Sequence, residues 1–127
     1  MCVCVCVYAC MLTSMESETL HTVHFFKHND MQDLERVLRH VVDSGRSMPL
    51  TRRFIVCEGI SHTRGTIAPL RHIYNLKTQY KFRLVVDESL SFGVCGERGR
   101  GACEAAGLAP SDVEIITGAK PLPHPPL

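Results

Sequence analysis

The chain has 127 residues, 13 acidic against 14 basic side chains, a net charge of +1 and seven cysteines. A chain of this length forms one domain burying about two thirds of its unfolded surface, and the near balance of charge leaves no strong field for nucleic acid or an anionic membrane. An odd cysteine count without a regular framework speaks against a secreted, cross-linked scaffold and fits reduced thiols in a cytosol-facing chain.

Met1 to Leu12 is apolar, but it is far shorter than the roughly 20 residues of a membrane-spanning helix. It also lacks the basic start and small-residue cleavage site of a signal peptide. Within it, Cys2-Val3-Cys4-Val5-Cys6-Val7 is a strict two-residue repeat followed by Tyr8-Ala9-Cys10. Such a repeat is what a TGTGTG tract encodes, so residues 1–20 are read as a low-complexity Cys/Val segment, disordered or non-native. Two alternatives stand beside this: an edge strand with its thiols on one face, and a thiolate cluster of Cys2, Cys4, Cys6 and Cys10 for a soft metal. Alternate-position cysteines crowd a tetrahedral site, and no metal ligands are assigned.

His21 to Phe26 has the aromatic and β-branched content of a strand. His24 and His28, four residues apart, are read as packing or solvent-facing. Asn29 offers an N-cap with Gln32 in capping-box position, and Met31, Leu34, Val37, Leu38 and Val41 repeat at helical spacing. Gly45 to Pro49 ends that helix. Arg52 to Gly59 reads as a buried strand ending in an acid, Glu58, with Cys57 a small core residue. Pro69 opens a second helix whose face carries Leu70, Ile73, Tyr74, Lys77 and Tyr80. A short helix from about Gly101 to Ala106 stops at Gly107, and Val113 to Thr117 is the last strand. Lys27, Lys77 and Lys81 are read as solvated.

Between these lies the stretch on which the rest is organised. The apolar run Phe82 to Val86 ends in Asp87-Glu88 and then a glycine-spaced loop, Gly93 to Gly101, as a buried parallel strand delivers side chains to a crevice. The order Gly96-Glu97-Arg98-Gly99-Arg100-Gly101 is not that of a dinucleotide-binding loop. Arg98 and Arg100 read either as phosphate or CoA contacts, beside glycine amides, or as a charged surface turn. Strand starts about thirty residues apart, each pair separated by a helix, give an α/β fold with a mainly parallel sheet.

The string DESLSFGVCGERGRG resembles the D-E-x-H-S-x-G-x-x-G-x-x-G-R-G segment of the α-oxoamine synthases, pyridoxal-phosphate (PLP) acyltransferases that condense an amino acid with an acyl-CoA. FKHNDMQDLERVL, TRRFIVCEG and GTIAPL follow the same family pattern in the same order. The resemblance covers roughly His21 to Thr117 and implies part of the large domain of a fold-type I PLP-dependent transferase. It assigns residues 21–118 to a partial aminotransferase class I/II large domain, with 119–127 a Pro-rich tail.

Leu90, in place of the family's usual histidine, is similar to the non-catalytic long-chain-base branch of the serine palmitoyltransferases. His62 stands where catalytic members carry a serine, and is read as a loop histidine. By resemblance Asp87 is the partner of the PLP ring nitrogen, the cofactor being held by a catalytic partner subunit and not covalently by this chain. No residue is assigned a catalytic role. Lys120 falls about two residues short of the family's Schiff-base lysine, and Pro121 to Leu127 replaces what should follow. The resemblance further implies a heterodimer acting on L-serine and palmitoyl-CoA at the cytosolic face of the endoplasmic reticulum. It also predicts apolar sheet edges on the isolated chain.

Overall fold

The computed structural model describes residues 4–9, 21–44 and 51–118. In chain order the elements are β1 (Cys4–Ala9), β2 (His21–Phe25), α1 (Met31–Ser44), β3 (Thr51–Glu58), α2 (Leu70–Tyr80), β4 (Arg83–Asp87), α3 (Ala102–Ala105), a single 3-10 turn at Pro110–Asp112, and β5 (Ile115–Thr117). One five-stranded sheet has the order β2-β1-β3-β4-β5. β3, β4 and β5 pair in parallel, and β1 is antiparallel to both of its neighbours. β2 through β5 therefore all point the same way, as their helical crossovers require, and their C-terminal ends share one edge.

β1 corrects the reading of the Cys/Val repeat for residues 4–9. Cys4 to Ala9 is neither outside the fold nor an edge strand: Val5 stands opposite His24 of β2 and Ile55 of β3. Alternating valines have high β propensity, and the gap between two co-directed strands satisfies the backbone groups of this segment on both sides. The Pro-rich tail, residues 119–127, lies outside the described residues.

The core forms where strand and helix periods meet. Ile55 and Cys57 of β3 stand in register with Leu84 and Val86 of β4, and all four are buried. They share a core cluster with Leu34, Val37, Leu38 and Val41 of α1 and with Leu70 and Ile73 of α2. Each buried leucine contributes roughly 1.5–3 kcal/mol, several times what the exposed Arg39–Glu35 pair on α1 supplies. The outermost strands expose apolar side chains, Val23 and Phe25 on β2 and Ile115 and Ile116 on β5, with Phe25 62% exposed. These are the apolar edges the sequence leads one to expect.

Two local expectations are corrected. The cap of α1 is Asp30, whose Oδ1 accepts the Asp33 N–H at 3.0 Å. Asn29 sits one residue earlier at φ 55° and donates its side-chain amide to the Ile67 carbonyl. Lys77 is not solvated: it is 7% exposed, and its Nζ donates to both carboxylate oxygens of Glu114 at 2.8 Å and to the Asp112 carbonyl. This ties α2 to the start of β5. Glu114 in turn accepts the Leu84 N–H, fastening the starts of β4 and β5 together.

Candidate functional site

The parallel register of β3 and β4 places their last residues, Glu58 and Asp87, side by side. There the strand ends open into a cleft of about 270 Å³ lined by Glu58, Ile60, His62, Asp87, Ser89 and Leu90, in the position where open α/β sheets take ligands. The Asp87 backbone is held by the Gly59 N–H, which donates to its carbonyl at 2.8 Å. Its carboxylate is oriented by Ser89, whose N–H and hydroxyl both donate to Oδ1 at 2.9 and 2.5 Å. Among the described residues nothing donates to Oδ2. On the other side of the cleft His62 Nδ1 pairs with Glu58 Oε1 at 2.9 Å, and the His62 N–H reaches Glu58 Oε2 at 3.4 Å. His62 is an exposed loop histidine, as read from sequence, but it is engaged by Glu58. Leu90, 49% exposed, supplies apolar wall together with Ile60.

Beneath the cleft Glu88 turns the opposite way, into the protein, and is 1% exposed. Its carboxylate accepts from the Ser91 hydroxyl and from the backbone N–H groups of Ala102 and Cys103, the latter two at 2.8 and 2.9 Å. Burial pushes its pKa up, but these bonds and one from the Cys103 thiol outweigh that and leave it below the ordinary glutamate value. Two glycines make the space: a Cβ on Gly59 would lie 2.9 Å from Glu88 Oε2, and one on Gly101 would collide with the same oxygen. Gly101 also has φ +98°, a conformation costly for any other residue. Burial, then the charges of Glu88 and Glu58, push the Cys57 thiol up to about 12, so it is a core group and no nucleophile.

The glycine loop does not offer the anion site that its arginines suggest. Glu104 Oε2 already accepts the backbone N–H groups of Arg98 and Arg100, each at 3.1 Å, and Arg98 pairs with the same carboxylate. Burial raises the pKa of Glu104, but these amides lower it further and then the arginine charges add to the effect. The loop amides are thus occupied from within. Sequence reasoning missed Glu88 and Glu104. The signal for Glu88 is the pair of glycines, Gly59 and Gly101, far apart in the chain and both needed by one side chain.

The PLP that the resemblance implies meets a partial fit. Asp87 lines the cleft with an Oδ2 that takes no donor among the described residues, as a protonated ring nitrogen would need, and Ile60 and Leu90 suit the faces of a ring. No lysine or arginine lines the cleft among its residues, so the phosphate finds no partner there. Lys120 lies outside the described residues. The side chains of Cys2, Cys4, Cys6 and Cys10 do as well, and with them the thiolate cluster. Among the described residues no group of three or more His, Cys, Asp or Glu could hold a metal ion, and no helix is long and apolar enough to cross a membrane.

Comparison with known proteins agrees with this architecture. Residues 2–119 match the family described as aminotransferase class I and II. The chain is 46% identical over 97 residues to serine palmitoyltransferase 1 of Dictyostelium discoideum, covering 76% of this chain and 20% of that protein. To long chain base biosynthesis protein 1c of Oryza sativa subsp. japonica it is 44% identical over 96 residues, again 76% and 20%. Among solved structures, the serine palmitoyltransferase of S. paucimobilis with a bound PLP-myriocin aldimine superposes with a TM-score of 0.62 at 32% identity, covering 73% of this chain and 22% of that one. The chain thus spans about one fifth of the length of these relatives. Matched over nearly all its residues and folded like a segment of the large domain of such enzymes, this chain belongs to the class I and II aminotransferase family.

Proposed function

We propose that the chain is a segment of the non-catalytic subunit of a serine palmitoyltransferase. That enzyme condenses L-serine with palmitoyl-CoA to 3-ketosphinganine, the first step of sphingolipid biosynthesis. Its catalytic subunit carries PLP covalently and pairs with this one as a heterodimer at the cytosolic face of the endoplasmic reticulum. The observation that carries the reading is Leu90. It lines the cleft beside Asp87, where by resemblance a catalytic member has a histidine, and an alkyl side chain neither moves a proton nor donates a hydrogen bond.

When bound, PLP supplies an electron sink for a developing carbanion. Toward it, Asp87 Oδ2 would hold the ring N–H, and Ser89 fixes the carboxylate by occupying Oδ1. Ile60 and Leu90, the apolar lining of the cleft, would shield the ring from water. His62 is tied to Glu58 and leaves no histidine free to relay a proton at the cleft. The chain's residues can therefore hold and orient, and the proton transfers fall to the partner.

Purification decides the matter. The chain alone is expected to carry no absorbance of a PLP imine, and to co-purify with a PLP-bearing partner when the two are expressed together. The second reading is a segment of an active α-oxoamine synthase of other specificity, favoured by the unshared Oδ2 of Asp87. It predicts instead an imine on the chain itself, trapped on one of its lysines by borohydride, and that result would overturn the first.

A further inference from the structure

Glu58 and Asp87 share one register position on neighbouring parallel strands, and strands so paired run about 4.8 Å apart. Both carboxylates line the cleft, together with the apolar side chains of Ile60 and Leu90. No lysine or arginine among the described residues shares that lining. Arg64, two residues beyond His62, is exposed and stands outside it. One oxygen of each carboxylate is engaged on its own side, Asp87 Oδ1 by Ser89 and Glu58 Oε1 by His62. Asp87 Oδ2 takes no donor among the described residues, and Glu58 Oε2 has the long 3.4 Å contact from the His62 N–H. Two acceptors without a close donor, side by side on adjacent strand ends, attract a cation and repel a phosphate.

The cleft has the size of a side chain rather than of a cofactor. Its volume of about 270 Å³ falls below the roughly 300–1,000 Å³ of pockets that enclose a whole small molecule. Lysine and arginine lay their methylene stems on apolar surface and keep the charged head among polar groups. Ile60 and Leu90 offer the walls for such a stem, and the two carboxylates offer the end for its head. The rim is apolar as well. Leu90 leads into Phe92 and Val94, both exposed, within a tight turn closed by the Phe92 N–H on the Glu88 carbonyl at 2.8 Å. Ile60 on the other flank bridges to Ile67, also exposed. Exposed apolar side chains on both flanks of a charged cleft fit a protein surface that inserts one basic anchor, more than a free amine. We infer that the cleft receives a lysine or arginine side chain of the catalytic partner subunit, with Phe92, Val94 and Ile67 packing against the surface that bears it. This rests on the reading of the chain as the non-catalytic subunit, in which the cofactor is held by the partner and not by this cleft.

The test titrates the full chain against the catalytic partner subunit by calorimetry, at low and at high salt. Asp87→Asn combined with Glu58→Gln removes both charges and retains the oxygens that Ser89 and His62 use. This variant should bind the partner about tenfold or more weakly and lose most of the salt dependence. Alone, it should unfold in urea at a midpoint no lower than that of the unaltered chain, since the repulsion between the carboxylates is gone. Should the double variant not fold, either substitution by itself carries the same test. Phe92→Ser, on the rim, should weaken binding and leave the salt dependence as it was. The control is Lys77→Met, which breaks the buried pair with Glu114 at the opposite ends of β4 and β5. It should lower stability and keep the affinity. Equal affinity and salt dependence in the folded charge variants would overturn the inference and leave the subunit reading standing. A lowered urea midpoint would overturn it too, by showing that the carboxylates serve the chain's own fold. Loss of self-association in place of partner binding would make a second copy the occupant, with the same result. If the unaltered chain does not bind the catalytic subunit, the subunit reading itself fails.

Discussion

Gly59 at the end of β3 packs against Ser91 so closely that a Cβ on it would lie 2.5 Å from the Ser91 Oγ, a distance real side chains do not tolerate. The same Cβ would meet Ala102 and Glu88 at 2.9 Å. None of the three can withdraw easily, since Ser91 and Glu88 hold each other and Ala102 N is bound to Glu88. Gly59→Ala should therefore destabilise the chain by about 1–3 kcal/mol, the usual cost of overpacking. Urea denaturation would measure it, and a midpoint equal to that of the unaltered chain would show that the loop does not pack against β3 as described.

The acid limb of stability should be set in part by Glu88. Its pKa in the folded chain lies below the ordinary value of 4.5, because the bonds it accepts outweigh its burial. Glu114 is also lowered, its burial outweighed first by the Leu84 N–H and then by Lys77. A carboxylate depressed on folding contributes stability that is present above its unfolded pKa and is lost as pH falls from there through the folded value. The chain should accordingly keep its stability down to about pH 4.5 and lose it progressively below. In Glu88→Gln the starting stability is lower and the acid slope is shallower. Equal slopes in the two proteins, followed by circular dichroism against urea at stepped pH, would show that Glu88 is not ionised in the fold.

Much of this was legible in the sequence because it depends on short-range pattern. The apolar spacing of Leu34, Val37, Leu38 and Val41 needs nothing but the helix period to be read, and Asp87 at the end of an apolar run needs only the strand. What was hidden depends on partners far along the chain. Lys77 looks like any surface lysine until Glu114, 37 residues on, is brought beneath it. Asn29 and Asp30 are equally good caps by residue type. The choice falls to Asp30 because Ile67, 38 residues away, takes the side chain of Asn29. The Cys/Val segment follows the same rule: an alternating repeat fits a strand, but only the gap between β2 and β3 gives it two partners.

Cysteine chemistry offers a check on the interior. Cys57 and Cys103 are buried while Cys95 is half-exposed, and burial raises the pKa of both buried thiols. Under native conditions iodoacetamide should modify Cys95 well before either of the others, as peptide mass mapping would show, with Cys57 and Cys103 reacting only after unfolding. The alkaline limb carries the matching sign. The Cys57 pKa rises from 9.0 to about 12 on folding, so its contribution is intact below pH 9 and is lost as pH climbs toward 12. In Cys57→Ala that loss should be smaller. Early native-state labelling of Cys57 would contradict its burial between β3 and the helices.

Leu90 is the position at which the cleft can be probed without disturbing the fold. Because it is 49% exposed, Leu90→His should change stability by no more than about 0.5 kcal/mol. The new imidazole would stand in the same cleft as Asp87 and Glu58. An opposite charge within about 4–6 Å favours the protonated ring, so the histidine should titrate above its ordinary value near 6.5. Pairing Leu90→His with Asp87→Asn removes one carboxylate and keeps its shape, and the titration should then move down. Two-dimensional NMR resolves this histidine from His62, which is paired with Glu58. If the introduced histidine titrates identically with and without the Asp87 charge, Asp87 does not face that wall. The strand end could not then present its carboxylate to a ring lying against Leu90.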